Sequence, residues 1–321
     1  MIPVFIERMG FALPPAIETA AELSPKIGRS EDWIQRRAGV FERRISELSM
    51  PELAAQAGLA ALEGGAPPDL ILNASGVAHQ VLPDTSVFIQ EAMGFSGIPS
   101  FSVHATCLSF LTALQTASGL LNSGCYSRIL VVSADLGSRG RNFEEAESAA
   151  LLGDGAGAAV LSLPPQGAES GILTFKMKTF PEGAELTAVR GGGTRLHPQN
   201  PQTTPADNLF HMRGTAVFKM ALRETPPLID QCLEEAGLQK SDLKLVVPHQ
   251  ASGFGVEVYR RYGFSSEQVV DLVGTQGNCV AASLPMSLAQ AVASGRLQRG
   301  DRFMLVGTGA GLSIAATILT Y

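Results

Sequence analysis

Three side chains able to carry acyl transfer lie in three separate segments of the chain: Cys107, His249 and Asn278. The run Ser100-Phe-Ser-Val-His-Ala-Thr-Cys107-Leu-Ser-Phe reads as strand, short turn and helix, with the cysteine at or just before the helix N-terminus. Free N–H groups and the helix dipole at such a position stabilise a thiolate and lower its pKa, which suits a nucleophile. The same cysteine also fits an inert apolar core position. His249 closes the apolar run from Leu243 to Pro248 and precedes Gln-Ala-Ser-Gly, so it sits where a strand meets a loop, a frequent place for functional groups in open α/β sheets. A hydrogen-bonded structural histidine fits that place equally well. Asn278 lies in the charge-free turn Gly274-Thr-Gln-Gly-Asn-Cys-Val-Ala-Ala-Ser283, where a capping or turn asparagine is the ordinary alternative. Together the three residues supply a nucleophile and two neutral hydrogen-bond donors, enough to polarise a thioester carbonyl and hold an enolate.

The elements that must position them are short runs rich in Val, Ile and Leu, read as buried strands at 69–72, 100–103, 128–134, 158–163, 243–247, 302–306 and 313–319. Helical patterns lie between them at 108–121, 216–236 and 286–293. This alternation predicts an α/β protein with a mixed or parallel sheet covered by helices. Gly153-Asp-Gly-Ala-Gly157 and Gly307-Thr-Gly-Ala-Gly311 each lead into an apolar strand, and each is approached through a Ser-Gly pair, Ser123-Gly124 and Ser294-Gly295. The repeat implies two homologous halves, residues 1–165 and 166–321, joined near the Pro- and Gly-bearing segment 164–171. A dinucleotide-binding loop at Gly153–Gly157 is disfavoured because that fingerprint needs a following helix. A tight turn and close backbone packing are the simpler use of these glycines.

With 321 residues the chain is long enough for a sizeable core. Its net charge of −6 offers no basic field, so nucleic acid is not an expected partner. Four cysteines without CxxC pairing favour a reducing compartment, and Met1–Gly10 bears charges and no apolar leader; a cytoplasmic location is the expectation. The longest charge-free stretch, 92–127, is broken by Pro99, Gln115 and Asn122 and by many Ser, Thr and Gly, so no membrane helix is expected; two further charge-free stretches are 272–295 and 303–321. The three hold Cys107, Asn278 and the turn at Ala310, as buried layers around a dry site would. No metal site is expected, because His79, His104, His197 and His211 lack acidic or thiol partners at ligand spacing.

Ordered motifs run almost from end to end: Glu31-Asp-Trp-Ile-Gln-Arg-Arg-Ala-Gly-Val-Phe-Glu-Arg-Arg-Ile45, the turn at Cys107, Leu152-Gly-Asp-Gly-Ala-Gly157, Pro248-His-Gln-Ala251, Gly277-Asn278 and Gly307-Thr-Gly-Ala-Gly-Leu312. In these the chain resembles the thiolase-like condensing enzymes, most closely β-ketoacyl-acyl carrier protein synthase III (the FabH type). Thiolases carry a second cysteine near the C-terminus, which Gly307–Gly311 lacks. Elongating ketosynthases use two histidines, and the chalcone-synthase branch is longer. The resemblance implies a duplicated, five-layered αβαβα thiolase-like fold with two pseudo-symmetric halves, and a homodimer. It implies condensation of an acyl-CoA primer with malonyl-acyl carrier protein (malonyl-ACP) through an acyl-cysteine, needing no cofactor beyond the CoA and ACP thioesters themselves. By position it makes Cys107 the nucleophile and His249 and Asn278 the enolate-stabilising pair, with the backbone N–H groups of Cys107 and Ala310 as oxyanion hole. It places Trp33 and Arg37 at the CoA nucleotide, Arg260 and Arg261 toward the carrier protein, and Leu82 and Phe88 on the primer-gating segment.

The chain departs from that pattern at the rim. His249-Gln-Ala is followed by Ser252-Gly-Phe254 where relatives have Asn and, two positions on, Arg; the loop 138–145 lacks a second nucleotide-stacking arginine; Thr308 replaces a common phenylalanine. Such changes suit a specialised relative: a pimeloyl-precursor synthase taking a dicarboxylic primer, an OleA-type non-decarboxylating enzyme, or an acyltransferase or thioester hydrolase of secondary metabolism. For a dicarboxylic primer, Arg139 or Arg141 is the candidate carboxylate ligand. A non-catalytic subunit is disfavoured because it has no chemical use for all three catalytic side chains.

Overall fold

The computed structural model describes residues 1–321. Its strands are β1 (Ile2–Pro3), β2 (Phe5–Ala12), β3 (Ala16–Thr19), β4 (Glu42–Ile45), β5 (Leu70–Asn73), β6 (Ser100–Ser102), β7 (Arg128–Leu136), β8 (Asp154–Ser162), β9 (Gly171–Thr179), β10 (Thr187–Ala188), β11 (His211–Met212), β12 (Leu245–Pro248), β13 (Arg302–Gly309) and β14 (Ser313–Thr320). The α-helices are α1 (Ala20–Ile27), α2 (Glu31–Ala38), α3 (Met50–Leu62), α4 (Thr85–Ala92), α5 (Ser109–Asn122), α6 (Ala146–Ala149), α7 (Gly214–Ala236), α8 (Gly253–Arg261), α9 (Val273–Gln276) and α10 (Ser283–Ala293).

Two five-stranded sheets form, in the orders β2-β8-β7-β5-β6 and β1-β9-β14-β13-β12. The series β2-β8-β7-β5 and β9-β14-β13-β12 repeat the same senses: antiparallel, antiparallel, parallel. One arrangement therefore occurs twice, as the glycine repeat implied. The opening strand β1 crosses to the second sheet, pairing with β9.

Strand periodicity dictates the layers. Alternate side chains face opposite sides, so Leu70, Leu72, Ile129 and Val131 of one sheet and Leu245, Val247, Phe303 and Leu305 of the other turn toward each other. Between them lie α5 and α10, whose Phe110, Leu111, Leu114, Leu284 and Leu288 complete the central cluster of 29 buried residues. The opposite faces, Ile71, Leu130 and Val132, pack on α3. Val246, Met304 and Val306 pack with Leu228, Ile229 and Leu233 of α7. Helix, sheet, helix pair, sheet, helix is the resulting five-layered thiolase-like fold.

Two expectations change. The run Gly153–Gly157 is not a turn ahead of the strand; from Asp154 onward it is the strand itself. A Cβ at Gly157 would meet the backbone N of Met286 at 2.5 Å, so these glycines let α10 lie directly on β8. The sequence reading also passes over β2 and β9, whose apolar runs are broken by Glu7 and Arg8 and by Lys176 and Lys178 on partly exposed faces.

Candidate active site

Cys107 follows a strained turn. Thr106 has φ +53, a left-handed conformation that a β-branched residue adopts at a cost of roughly 1–3 kcal/mol. Neighbours hold it there: the Ser109 hydroxyl donates to the Thr106 carbonyl at 2.6 Å and accepts the Ala105 N–H at 2.9 Å. Helix α5 begins two residues after the cysteine, but its leading N–H groups are already used, Leu108 toward the Ala105 carbonyl and Ser109 toward that of Thr106. The helix N-terminus therefore does not lower the thiol pKa as expected. Burial, with the Asp135 carboxylate adding to it, pushes Cys107 up to about 12, and the main-chain N–H groups of Ala310 and of Cys107 itself only partly oppose the rise. The resting group is a thiol.

His249 continues from the end of β12, its N–H bonded to the Val306 carbonyl at 2.8 Å. It is buried, and burial alone pushes its pKa down to about 4. The ring is a neutral imidazole at physiological pH, and its Nδ1 has no hydrogen-bond partner. Asn278 is held at four points: its N–H to the Leu151 carbonyl (2.8 Å), its carbonyl from the Gly153 N–H (3.0 Å), its Nδ2 to the Ala251 carbonyl (3.2 Å) and its Oδ1 from the Val280 N–H (2.9 Å). The Ala251 bond ties it to the loop that carries His249.

Strand β13 is the floor beneath the other two segments. A Cβ on Gly307 would sit 2.6 Å from the His249 Cβ and 3.4 Å from Leu108, and one on Gly309 would sit 2.6 Å from the Thr106 hydroxyl. Only residues without side chains let β13 pass this close under both. The histidine segment and the cysteine turn thus converge on Gly307–Gly309, and Asn278 joins through Ala251.

The residues expected at the rim are placed differently. Trp33 on α2 is partly buried, with the Arg29 guanidinium 5.5 Å from its ring centre. Arg37 makes two hydrogen bonds to one oxygen of Glu147, at 2.9 and 2.6 Å. Glu147 also borders a cleft of about 420 Å³ formed with Met212, Arg213, Gly214, Thr215 and Lys219. Arg260 is engaged by Glu257 (3.0 Å) and Asp271 (2.9 Å), whereas Arg261 is 75% exposed and only 3.9 Å from Glu257. Leu82 is 80% exposed on the surface loop before α4. Phe88 stacks edge-on against His79, with ring centres 4.9 Å apart. Arg141 is not available to a primer carboxylate: it is buried and ion-paired with Glu18. Arg139 is exposed.

Sequence reasoning passed over two buried charges behind the site. Arg43, fully buried, donates to the carbonyls of Ala149 (3.2 Å) and Ala150 (2.8 Å), beside the Leu151 carbonyl that receives Asn278. Asp135 closes the apolar strand β7 and is 1% exposed. A carboxylate ending an otherwise apolar run was the available signal for it.

The family described as 3-oxoacyl-[acyl-carrier-protein (ACP)] synthase III matches residues 101–181, and that described as its C-terminal region matches residues 233–321. A β-ketoacyl-[acyl-carrier-protein] synthase III of Erythrobacter litoralis is 35% identical over the whole of both chains. The crystal structure of 3-oxoacyl-[acyl-carrier-protein] synthase III from Aquifex aeolicus superposes with a TM-score of 0.88 at 29% identity, covering 99% of this chain and 100% of that one. An OleA variant of Xanthomonas campestris shares the fold, with a TM-score of 0.86 at 21% identity over 99% of this chain and 98% of its own.

Proposed function

We propose, from the premise that this chain belongs to the 3-oxoacyl-[acyl-carrier-protein] synthase III family, that Cys107, His249 and Asn278 divide the family's condensation between them. The protein is an acyltransferase, a synthase III-type ketosynthase that forms a β-ketoacyl thioester by Claisen condensation. In the first half-reaction the Cys107 sulfur attacks the thioester carbonyl of an acyl-CoA. The tetrahedral oxyanion is held by the N–H groups of Cys107 and Ala310. The C–S bond to CoA breaks, and the thiol proton leaves with the departing CoA thiol. The raised thiol pKa fits such concerted proton loss better than a standing thiolate.

In the second half-reaction malonyl-ACP loses CO₂, and its electron pair becomes an enolate. His249 and Asn278 donate hydrogen bonds to the enolate oxygen. A neutral imidazole suits this task, since a donor that keeps its proton stabilises the oxyanion without being consumed. The enolate carbon then attacks the acyl-Cys107 carbonyl, the C–S bond breaks to release β-ketoacyl-ACP, and the departing Cys107 sulfur takes a proton from water to return to the thiol. Side chains and thioesters suffice for this sequence of steps.

The observation that carries the reading is the convergence of the cysteine turn and the buried His249 on Gly307–Gly309, with Asn278 tied to the His249 loop through the Ala251 carbonyl. Intact-mass spectrometry tests it. Acyl-CoA adds one acyl mass, and malonyl-ACP then removes that mass with appearance of a β-ketoacyl-ACP two carbons longer. Loss of the acyl mass to water alone makes the protein a hydrolase instead.

A homodimer is part of the reading. The edge strand β6 and the exposed Val77, Val81, Leu82, Val87 and Phe101 form an uncovered apolar border, and a second copy would bury it. Leu82 would then serve a primer pocket only at that contact. Arg261, more exposed and less engaged than Arg260, is the better candidate for an acidic carrier protein. Residues 1–165 and 166–321 are taken as the two halves, with β1 as an exchange between them. No helix is long and apolar enough to cross a membrane, and the cytoplasm, where acyl-CoA is available, is the proposed location.

A further inference from the structure

Asp135 has no cationic partner in its hydrogen bonds. Its carboxylate accepts main-chain N–H groups only: Gly76 at 3.0 and 3.1 Å, Val77 at 2.9 Å and Ala282 at 3.1 Å. Gly76 and Val77 belong to the loop after β5, and Ala282 to the turn that follows Asn278. The two segments touch, since a Cβ on Gly76 would lie 2.5 Å from the Val280 Cγ1. The carboxylate bridges them from below.

Val280 explains why a bridge is needed there. Its φ is +49, a left-handed conformation that β-branched residues avoid and that persists only when its surroundings hold it. The N–H of this residue donates to the Asn278 Oδ1 at 2.9 Å, fixing which way the asparagine amide turns. Asp135 anchors the chain two residues further on. We propose that Asp135 is a positioning residue, which holds the strained Val280 turn and so keeps the Asn278 amide aimed as a donor. The inference rests on the reading that Asn278 serves the decarboxylating half-reaction.

The charge of Asp135 also adds to the rise of the Cys107 thiol. The only charged group acting on that thiol is Asp135; His249, across the site, is neutral, and Cys279 on the Asn278 turn is a buried thiol held up by burial, Asp154 and Asp135. One carboxylate thereby aids the second half-reaction and opposes the first. Replacement should separate the two.

The test compares the half-reactions in the full-length protein. Asp135→Asn keeps the shape but offers a single acceptor oxygen and no charge. Its malonyl-ACP decarboxylation should fall at least tenfold in kcat with KM within twofold, while Cys107 still acylates and the pH midpoint of acylation moves downward. Asp135→Glu keeps the charge and displaces the oxygens; decarboxylation should fall while the acylation midpoint stays in place, and this variant carries the test if Asp135→Asn does not fold. Decarboxylation within twofold of the parent in a folded variant overturns the proposal. So does an equal fall in both half-reactions with no shift of midpoint, the signature of general loosening. Failure of the parent protein to acylate or decarboxylate would instead remove the condensation reading itself.

Discussion

At the floor of the site, main-chain groups hold His249 and Asn278, the Ser109 hydroxyl holds the turn before Cys107, and no ion pair touches any of the three. At the rim the reverse holds: Arg37 is taken by Glu147, Arg260 by Glu257 and Asp271, and Arg36 by Asp32. The difference separates what the fold must fix from what side chains can tune. Main-chain bonds and glycine-lined contacts leave the floor little freedom, so few substitutions there are harmless. Exposed ion pairs contribute little, roughly 0–1 kcal/mol each, so the rim can change partners at small cost.

The comparison breaks most visibly at the nucleophile. Cys107→Ala should abolish the acyl adduct in intact-mass spectra, with the protein still folded. An adduct at full stoichiometry would show that another residue is the nucleophile. Next in size, His249→Ala should lower malonyl-ACP decarboxylation by roughly 10²–10³-fold, the usual loss for one oxyanion-stabilising donor, while leaving acylation measurable. Gly307→Ala probes the floor without replacing a catalytic side chain. Its methyl overlaps the His249 Cβ position, so thermal or denaturant unfolding should show a loss of about 1–3 kcal/mol. Unchanged stability would mean that β13 does not constrain the histidine.

The floor also holds two titrating groups of opposite effect. Burial lowers His249 to about 4, below the usual histidine value, so between pH 6.5 and 4 the unfolded chain binds a proton that the folded one does not. That contribution to stability falls as pH falls. Burial raises Asp135 to about 7, so between pH 7 and about 4 the folded state holds the extra proton, and its contribution rises as pH falls. Each is on the order of 3 kcal/mol across its window, and the two nearly cancel. Denaturation at pH 7 and pH 5 should therefore find Asp135→Asn more acid-sensitive than the parent and His249→Asn less so. The same ordering in both variants would refute the opposition.

The sequence made the floor legible and left the rim obscure. Strand alternation at Leu70–Leu72 and Phe303–Leu305 is local and reads directly as two buried faces. Cys107, His249 and Asn278 stood out as residue types, although only their ordered motifs raised them above a core cysteine, a structural histidine and a turn asparagine. The direction of the Cys107 pKa was not readable, because the burial that raises it, and the Asp135 charge that adds to it, arise only in the assembled structure. Arg141 looked free because its partner, Glu18, lies 123 residues away in sequence. Arg37 and Glu147 are 110 residues apart, and nothing in either segment announces the other.

That last pair gives the smallest effect and the sharpest test of the rim. If Arg37 receives the phosphates of CoA, it must first leave Glu147, and the carboxylate that remains beside the cleft repels them. Glu147→Gln removes both costs. Its KM for acyl-CoA should fall about two- to fivefold, as expected for a solvent-exposed pair, with kcat unchanged. An acyl-pantetheine, which lacks the nucleotide, should acylate parent and variant alike, and the CoA advantage should shrink as added salt screens the rim. A variant whose KM falls equally for both donors would place Glu147 against the pantetheine arm rather than the nucleotide, and the division between a fixed floor and a tunable rim would have to be drawn deeper in the cleft.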